Sequence, residues 1–273
     1  MLDIQGGLSV VTGAGSGIGK ATAEALAAEG ARLVVCDVDP VGLARVSAAL
    51  GAACVQSTVL DVGDRAAYAS FASALLARHG PPRVLVNNAG VGLAGGMLDT
   101  PLDDWDWLLR INLMGVVHGC HFFAPAMAAA RLGQVVNVAS MLGLVATPNT
   151  AAYCTSKFGV VGLSEALRAE LAPLGVGVST ICPGMVRTAI IGKARFRGPG
   201  DGEARRAAVE ARYVKRDYGP ERVAQAIVEA IRHDRGLVPV TPESRVAWYL
   251  KRVAPGFVPT AARWLEQQFG ESK

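Results

Sequence analysis

Hydrophobic residues in this chain are grouped into short runs separated by longer stretches with helical spacing. The runs are continuous rather than alternating, which is typical of strands buried on both faces of a sheet. Strands that alternate with helices predict an α/β fold, a doubly wound parallel sheet of about seven strands with helices on both faces. The strand candidates are Leu8–Val11, Arg32–Cys36, Cys54–Leu60, Arg83–Val86, Gln134–Val138, Val176–Ile181 and Leu237–Val240, and helical patterns cover roughly 18–29, 40–50, 64–79, 102–130, 150–172 and 220–233.

The alternation is interrupted in the last third of the chain. Residues 185–219 are rich in Gly, Arg and Ala and contain Gly198-Pro199-Gly200, so we interpret them as a mobile insert. Neither a repeat nor a linker divides residues 1–240, which predict one domain. Residues 241–273 are interpreted as a helical tail packed on that domain. Because the tail is basic and amphipathic, subunit contact and peripheral membrane attachment remain alternatives.

Composition and charge exclude some classes of protein. With 51% apolar and 18% charged residues among 273, the chain is predicted to be soluble and globular rather than disordered. The net charge is +4 and no block of like charges occurs, so we expect no nucleic-acid partner. Five cysteines without a CxxC pair, no apolar run of about 18 residues and no leader predict a reduced, cytoplasmic protein.

Four glycines lie within seven residues between the first strand and the first helix. A tight strand-to-helix turn favours glycine, and the free N–H groups of a helix N-terminus suit a pyrophosphate. Gly13, Gly17 and Gly19 can supply the turn, the close approach and the helix packing, and Ser16 can add a hydroxyl donor. A purely structural loop is the alternative. Dinucleotide binding is favoured because Asp37 ends the second strand, at the distance expected of a ribose-binding acid.

Asp37 also bears on the choice of cofactor. A carboxylate can accept hydrogen bonds from two ribose hydroxyls, whereas it would repel a 2′-phosphate. The sequence therefore predicts NAD rather than NADP. The alternative role for Asp37 is a helix-capping or surface acid.

A tyrosine and a lysine one helical turn apart supply candidate acid–base chemistry. Tyr153 and Lys157 are at positions i and i+4, where the cation is expected to lower the tyrosine pKa. Ser140 ends the fifth strand and can hold a substrate oxygen. Asn112 is unfavourable inside a long helix, which indicates a helix distortion or a water relay. A surface contact for the Tyr/Lys pair and a structural role for Asn112 are the alternatives.

Together these motifs make roughly residues 5–240 resemble the short-chain dehydrogenase/reductase family in its single-domain form. The resemblance is carried by Thr12-Gly13, Gly17, Gly19, Asp61-Val62, Asn87-Asn88-Ala89-Gly90, Asn112, Ser140, Tyr153, Lys157, Pro183-Gly184 and Thr188. It implies a Rossmann-type sheet, an Asn–Ser–Tyr–Lys tetrad of Asn112, Ser140, Tyr153 and Lys157, and a homodimer or homotetramer. The cofactor-binding set that it implies, with the residues above, is Gly13, Ser16, Gly17, Ile18, Gly19, Asp37, Asp61, Val62, Asn88, Ala89, Gly90, Tyr153, Lys157, Pro183, Gly184, Val186 and Thr188.

The resemblance also implies roles for some of these residues. Asp61 is expected to bond the adenine amino group beside Val62. Lys157 is expected to hold the nicotinamide ribose as well, and Asn112 to position a relay water.

The substrate is expected to contact Ser140, Met141, Tyr153 and Met185. Their mainly apolar surroundings predict a hydrophobic secondary alcohol or ketone as the small-molecule substrate. Arg195 and Arg197 follow in the insert, and they indicate either an anionic end on that substrate or a solvated flexible segment.

Other polar residues near these motifs carry less chemistry. Asp103, Asp104 and Asp106 are interpreted as an acidic cluster at a helix N-terminus. His118 and His121 lack the company of metal ligands, so no metal site is predicted.

The leading hypothesis is an NAD(H)-dependent dehydrogenase/reductase. A non-catalytic NAD-binding regulator and an isomerase or epimerase that uses NAD transiently are the alternatives.

Overall fold

A seven-stranded parallel sheet forms the centre of the computed structural model, which describes residues 2–256. The strand order is β3-β2-β1-β4-β6-β7-β9, and every neighbouring pair is parallel. The predicted doubly wound fold is thereby confirmed. The strands of this sheet are β1 Leu8–Thr12, β2 Arg32–Asp37, β3 Cys54–Val59, β4 Val84–Asn87, β6 Gly133–Val138, β7 Val176–Cys182 and β9 Leu237–Pro239, and a separate short pair joins β5 Leu93–Ala94 to β8 Arg195–Phe196.

The predicted helices are present with bounds that shift by a residue or two. Asp39 and Asp64 accept backbone N–H bonds at the start of the second and third helices and so fix where these helices begin. The helices are α1 Gly17–Ala28, α2 Pro40–Leu50, α3 Arg65–His79, α4 Leu102–Leu109, α5 Gly115–Ala129, α6 Ala151–Leu171, α7 Gly202–Arg216, α8 Pro220–Arg232 and α9 Pro242–Val253.

Two helical layers cover the two faces of the sheet. Helices α1, α2 and α8 enclose one apolar core, in which Leu26, Val35 and Ile227 are fully buried. Helices α3, α5 and α6 enclose the other, around Tyr68 and Phe123. Burial on both faces explains why the strands are continuously apolar.

The chain reverses its direction of travel across the sheet between β1 and β4. β1 pairs with β2 on one side and with β4 on the other. In a parallel sheet, ligands bind beyond the carboxyl ends of the strands at such a switch point. Thr12, Asp37, Asn87 and Ser140 end or follow strands at this edge.

The helical pattern predicted over 102–130 is interrupted. Residues Arg110–Met114 form a single π-helical turn between α4 and α5, and Asn112 lies inside it. The expected helix distortion is therefore present. Within residues 2–256, Leu102–Ala129 is also the one stretch with the length and hydropathy of a membrane span, and half of it is buried in the fold.

The insert has more secondary structure than the sequence indicates. Residues 185–219 contain β8 and α7, a 15-residue helix absent from the predicted set. Its sequence is rich in Arg and Glu and follows Gly198-Pro199-Gly200, which favours the interpretation of the whole segment as a loop. Helix α9 opens the tail as expected, and residues 257–273 of the predicted tail lie outside the described part of the chain.

Candidate active site

Glycine is required where β1 turns into α1. Gly13 has φ +65°, and a Cβ there would lie 2.7 Å from the Ala89 Cα. A Cβ on Gly19 would lie 2.1 Å from the Gly13 carbonyl oxygen. A larger residue at either position would collide with backbone atoms. The turn therefore packs closely against the segment after β4. Because these positions are glycine, no side chain there covers the start of α1.

A polar network joins this turn to the segment after β4. The Thr12 hydroxyl accepts hydrogen bonds from the Asn88 and Ala89 N–H groups, at 3.1 and 3.2 Å. The Asn88 side chain donates to the Thr12 and Gly13 carbonyls, at 3.0 and 3.1 Å. Asn88 thus holds two strand ends in register, in addition to its predicted place in the cofactor-binding set.

The Asp37 carboxylate points at the glycine turn. Its two oxygens accept hydrogen bonds from the Gly15 N–H at 2.7 Å and the Asp39 N–H at 2.9 Å. Asp39 caps α2, so Asp37 does not act as the helix cap that the sequence left as an alternative. The acid is held at the rim of the turn, and its orientation is fixed before any ligand arrives.

The chain after β3 places Asp61 and Val62 at the same edge. Asp61 accepts from the Gly63 N–H at 2.9 Å and pairs with Arg110 at 2.8 Å. Val62 is buried, and its carbonyl oxygen lies 2.9 Å from His118 Nδ1, which makes that nitrogen the donor. His118 therefore holds this loop. Arg110 had no sequence signal that tied it to Asp61.

Asn112 is fully buried in the π-helical turn. Its Oδ1 accepts from the Val91 N–H at 2.8 Å, and its Nδ2 donates to the Val91 carbonyl at 3.0 Å. A Cβ on Gly90 would lie 3.3 Å from Asn112 Oδ1 and 3.6 Å from Lys157 Nζ. Asn112 and Lys157 therefore meet around Gly90, and the π-helical turn supplies the offset that aims the amide at Val91.

Lys157 projects from α6 into the carboxyl edge of the sheet. Its side chain is 5% exposed, and its Nζ donates to the Val138 carbonyl at 3.1 Å. The Nζ lies 5.9 Å from the centre of the Tyr153 ring. Burial lowers the pKa of Lys157 from 10.5 to about 8, because the charged form loses water.

The Ser140 hydroxyl lies close enough to the Tyr153 hydroxyl to act on its pKa, in the lowering direction. The pKa of Tyr153 is raised above its ordinary value, first by burial and then by the nearby Tyr213. The sequence predicted a lowered pKa under the influence of Lys157, and this expectation is wrong. Removal of the phenol from water outweighs a cation that lies beyond direct contact. Ser140 also accepts from the Leu142 N–H at 3.1 Å, which fixes its rotamer.

The segment after β7 is held by α9. The Gly184 N–H donates to the Thr241 hydroxyl and the Met185 N–H to Glu243, both at 3.1 Å. A Cβ on Gly184 would lie 2.4 Å from the Thr241 hydroxyl. Sequence reasoning missed Thr241 and Glu243. The Thr-Pro-Glu start of a helix identifies Thr241 as a cap, but nothing in that pattern indicates that it reaches Gly184.

Farther along, the same segment crosses the glycine turn. Thr188 packs over Gly17, where a Cβ would lie 3.1 Å from its methyl group. Val186 is buried, and the Met141 N–H donates to the Pro183 carbonyl at 2.7 Å. Thr188 therefore lies beside Gly17, and Pro183 beside Met141, so residues predicted to bind the cofactor and the substrate are neighbours. Ser16 is exposed and Ile18 half-buried at the start of α1.

Arg195 and Arg197 differ from both predicted roles. They pair with Asp104, whose side chain is 4% exposed, at 2.6 and 2.5 Å. The two arginines are thus partly exposed but held in ion pairs, rather than free to bind an anion. Asp103 and Asp104 lie in the first turn of α4, as predicted for the acidic cluster, but Asp104 is buried whereas Asp103 and Asp106 are exposed.

The remaining thiols and imidazoles near the site are packed separately. Cys154 Sγ lies 3.2 Å from the Thr150 hydroxyl. His121 packs edge-on against Phe122. In the part of the chain that the structure describes, no three His, Cys, Asp or Glu side chains are grouped as metal ligands.

Comparison with known proteins places this geometry in a family. Residues 8–197 match the family model for short chain dehydrogenases. The chain is 42% identical over 260 residues to a "Probable oxidoreductase EphD" of Mycobacterium tuberculosis. That match covers 93% of this chain and 44% of the relative, so the chain spans less than half of the relative's length.

Solved structures agree in fold over almost the whole chain. A short-chain dehydrogenase/reductase from Burkholderia phymatum in complex with NAD is 33% identical, with a TM-score of 0.86 and coverage of 95% of this chain and 97% of that one. A metagenomic short-chain oxidoreductase in complex with NADP is 32% identical, with a TM-score of 0.70 and coverage of 86% and 96%. This chain therefore belongs to the short-chain dehydrogenase/reductase family, a family of oxidoreductases that use nicotinamide cofactors.

Proposed function

We propose that this protein is an NAD(H)-dependent enzyme that interconverts a hydrophobic secondary alcohol and its ketone. One observation carries the proposal. The neighbouring side chains of Tyr153 and Ser140 and the buried cation Lys157 lie at the edge of the sheet where the glycine turn opens. An acid–base group, a polarising hydroxyl and a buried cation at a dinucleotide seat are the parts that hydride transfer to a carbonyl needs.

The residues at this edge fit a nicotinamide dinucleotide. The turn has no room for a Cβ at Gly13 or Gly19. With glycine at both positions, the backbone N–H groups at the start of α1 can bind a pyrophosphate. Asp37 offers carboxylate oxygens at the rim of that turn for ribose hydroxyls. Lys157, beside Gly90, would hold the second ribose. When bound, the nicotinamide would supply the hydride donor or acceptor, with a positive charge in its oxidised form.

Tyr153 moves the proton. Its raised pKa keeps the phenol protonated at neutral pH, so in the direction of reduction it can donate its proton to the developing alkoxide. The Ser140 hydroxyl, which lies next to Tyr153, can donate a second hydrogen bond to the same oxygen and stabilise its negative charge. In the direction of oxidation Tyr153 must lose its proton first, so oxidation is favoured at higher pH.

Lys157 and Asn112 support that proton transfer. The Lys157 ammonium sits in a poorly solvated site, where a positive charge stabilises phenolate more than it would in water. Asn112 uses both ends of its amide on Val91 and so fixes the Gly90-Val91 turn beside Lys157. This bonding supports a positioning role for Asn112.

The choice of NAD rests on Asp37. The carboxylate would face the 2′-phosphate of NADP across a short distance without an intervening cation in the glycine turn. Ribose hydroxyls, in contrast, can donate to it.

A hydrophobic substrate is supported by the residues that surround Tyr153. Leu93, Leu108 and Ala152 form a buried apolar cluster against which Val91 and Tyr153 pack. Met141 and Met185 are half-buried at the same end of the site and would complete an apolar wall. A small polyol would leave its extra hydroxyls without partners on such a wall.

We also propose a cytoplasmic homodimer or homotetramer. Apolar side chains exposed on the stretch Leu102–Ala129, such as Leu102 and Met114, are available to a second copy of the chain. Light scattering after size exclusion would measure the mass, and a monomer at assay concentration would contradict this proposal.

A spectrophotometric assay tests the function directly. The purified protein is given NAD or NADP with secondary alcohols of graded chain length, and the appearance of reduced nicotinamide is recorded. We expect turnover with NAD that improves as the alkyl chain lengthens. Binding of NAD without turnover would favour a regulator, and conversion of a substrate without net NADH would favour an isomerase or epimerase. Best turnover on polyols would contradict the apolar pocket.

A further inference from the structure

A buried carboxylate joins the insert to the helix beside the active site. Asp104 lies on α4, and its Oδ1 and Oδ2 accept from both ends of one guanidinium fork, Arg197 Nε at 2.5 Å and Nη2 at 3.3 Å. Arg195 Nη1 donates to the same carboxylate at 2.6 Å. The two arginines are two residues apart on an extended segment, so both point to the same side. The hydrogen bond from Arg197 also lowers the pKa of Asp104.

This ion-paired group is next to the wall that packs on Tyr153. The Arg195 guanidinium stacks on Trp107 at 3.7 Å from the ring centre. Trp107 and Tyr153 pack against the same buried cluster of Leu93, Leu108 and Ala152. Trp107 therefore connects Arg195 to the apolar cluster that surrounds Tyr153.

The same contacts fix the short strand pair at the mouth of the site. The Arg195 N–H donates to the Gly92 carbonyl at 3.1 Å, and the Arg197 N–H to the Ala94 carbonyl at 2.8 Å. A strand pair joined by only two backbone hydrogen bonds is marginally stable by itself. The Asp104 carboxylate adds charge-assisted bonds from both arginines, which hold β8 against β5.

The ion pairs of Asp104 also determine whether a free positive charge is available near the active site. The fork of Arg197 is the geometry with which arginine binds a carboxylate, and here Asp104 occupies it. The face of Arg195 is covered by Trp107. A substrate carboxylate would have to displace Asp104 and leave it buried without a partner, which is unfavourable.

We infer that Asp104 is a specificity-determining residue: it docks the insert onto α4 and reserves Arg195 and Arg197, so that the active site selects uncharged ketones over oxo-carboxylates. The inference deepens the proposed function and rests on it for its kinetic test. Loss of the carboxylate releases two cations beside the site and creates an anion-binding pair.

The kinetic test compares two substrates in two variants. The substrates are a ketone that the wild-type protein reduces and the same ketone with a terminal carboxylate. We expect wild type to favour the neutral ketone in kcat/KM, and Asp104→Asn to shift the ratio toward the carboxylate by about tenfold, the size of one charge-assisted hydrogen bond. The shift should shrink in high salt. Asp103→Asn, an exposed neighbour on the same helix, is the matched control and should leave the ratio unchanged.

A second variant separates charge from docking. Arg197→Gln leaves Asp104 paired with Arg195, so it should loosen the insert without creating a free anion site. Hydrogen exchange at the Arg195 and Arg197 amides should accelerate in both Asp104→Asn and Arg197→Gln, while the carboxylate preference should rise in Asp104→Asn alone.

Exchange rates at these amides do not depend on activity. If wild type reduces no ketone, the proposed function fails while the exchange data still decide whether Asp104 docks the insert. Unchanged exchange in both variants, or an unchanged ratio of the two substrates in an active Asp104→Asn protein, would overturn the inference.

Discussion

The cofactor side and the substrate side of the site are held together by different interactions. On the cofactor side, the backbones of Gly13, Gly19 and Ala89 are in close contact, and neutral hydrogen bonds from the Asn88 side chain link neighbouring strand ends. On the substrate side, the insert is attached mainly by ion pairs between side chains, such as Arg197 with Asp104 and Arg216 with Glu243.

This difference predicts different responses to mutation and solvent. Close backbone packing leaves no second arrangement, so the cofactor side tolerates no added volume. Ion pairs at half-exposed positions each contribute about 0–1 kcal/mol and weaken in salt. We therefore expect the cofactor side to be preformed and rigid, and the substrate side to be adjustable.

Among the variants that compare the two sides, we expect the largest loss of stability from a methyl group in the glycine turn. Gly19→Ala places a Cβ against the Gly13 carbonyl, so the turn must open. We expect a loss of stability on the order of 1–3 kcal/mol, and a rise in the Kd for NAD of at least about tenfold. Calorimetric titration and thermal unfolding measure both.

Gly162→Ala is the matched control for that variant. Gly162 lies within α6, and a methyl group there would meet no atom within 4 Å beyond the backbone of its own helix. Alanine there should stabilise the protein by about 0.5–1 kcal/mol through helix propensity. Equal losses in both variants would contradict the rigidity of the glycine turn.

The next effect concerns the identity of the cofactor. Asp37→Asn keeps the shape and one acceptor oxygen but removes the charge, so the ratio of kcat/KM for NAD over NADP should fall roughly tenfold or more. Asp39→Asn retains a good helix cap on α2 and should not change the ratio. A wild-type protein that uses NADP as well as NAD would refute the argument from charge.

The pH dependence of cofactor use tests the buried cation. Lys157 is charged below its pKa of about 8 and loses the charge as pH rises through that value. The kcat/KM for NADH, which reports groups of the free enzyme, should fall about tenfold per pH unit above that point. Lys157→Arg keeps its charge at all accessible pH and should abolish the fall, at lower overall activity. An identical fall in both proteins would assign it to another group.

The smallest expected effect is on the substrate side. Glu243→Gln weakens the bond to Arg216 and the acceptor for the Met185 N–H. Because these contacts contribute about 1 kcal/mol, the KM for the ketone should rise roughly fivefold. The Kd for NAD should stay within error. An equal change in both constants would show that the two sides are not separable.

The sequence predicts the cofactor side of the site more completely than the substrate side. The strands, most helices and the residues of the glycine turn were predictable, since burial on two faces and the demand for positive φ leave direct signals in residue type. The distortion at Asn112 was predictable for a similar reason, because asparagine is a poor helix former.

Partners distant in sequence and the balance of opposing effects were not predictable. Asp104 with Arg197 and Glu243 with the Met185 N–H depend on how the insert and α9 fold over the sheet, which no local pattern encodes. The direction of the Tyr153 pKa was predicted wrongly because burial, which outweighs the cation, is a property of the assembled site.

One measurement tests the central claim most directly: the turnover of Tyr153→Phe at saturating NAD and alcohol, with the Kd for NAD measured on the same preparation. The variant lacks only the hydroxyl that donates or accepts the proton beside Ser140. We predict that kcat falls about 100- to 10,000-fold while the Kd for NAD changes little. Turnover close to that of wild type, with NAD bound normally, would contradict the account.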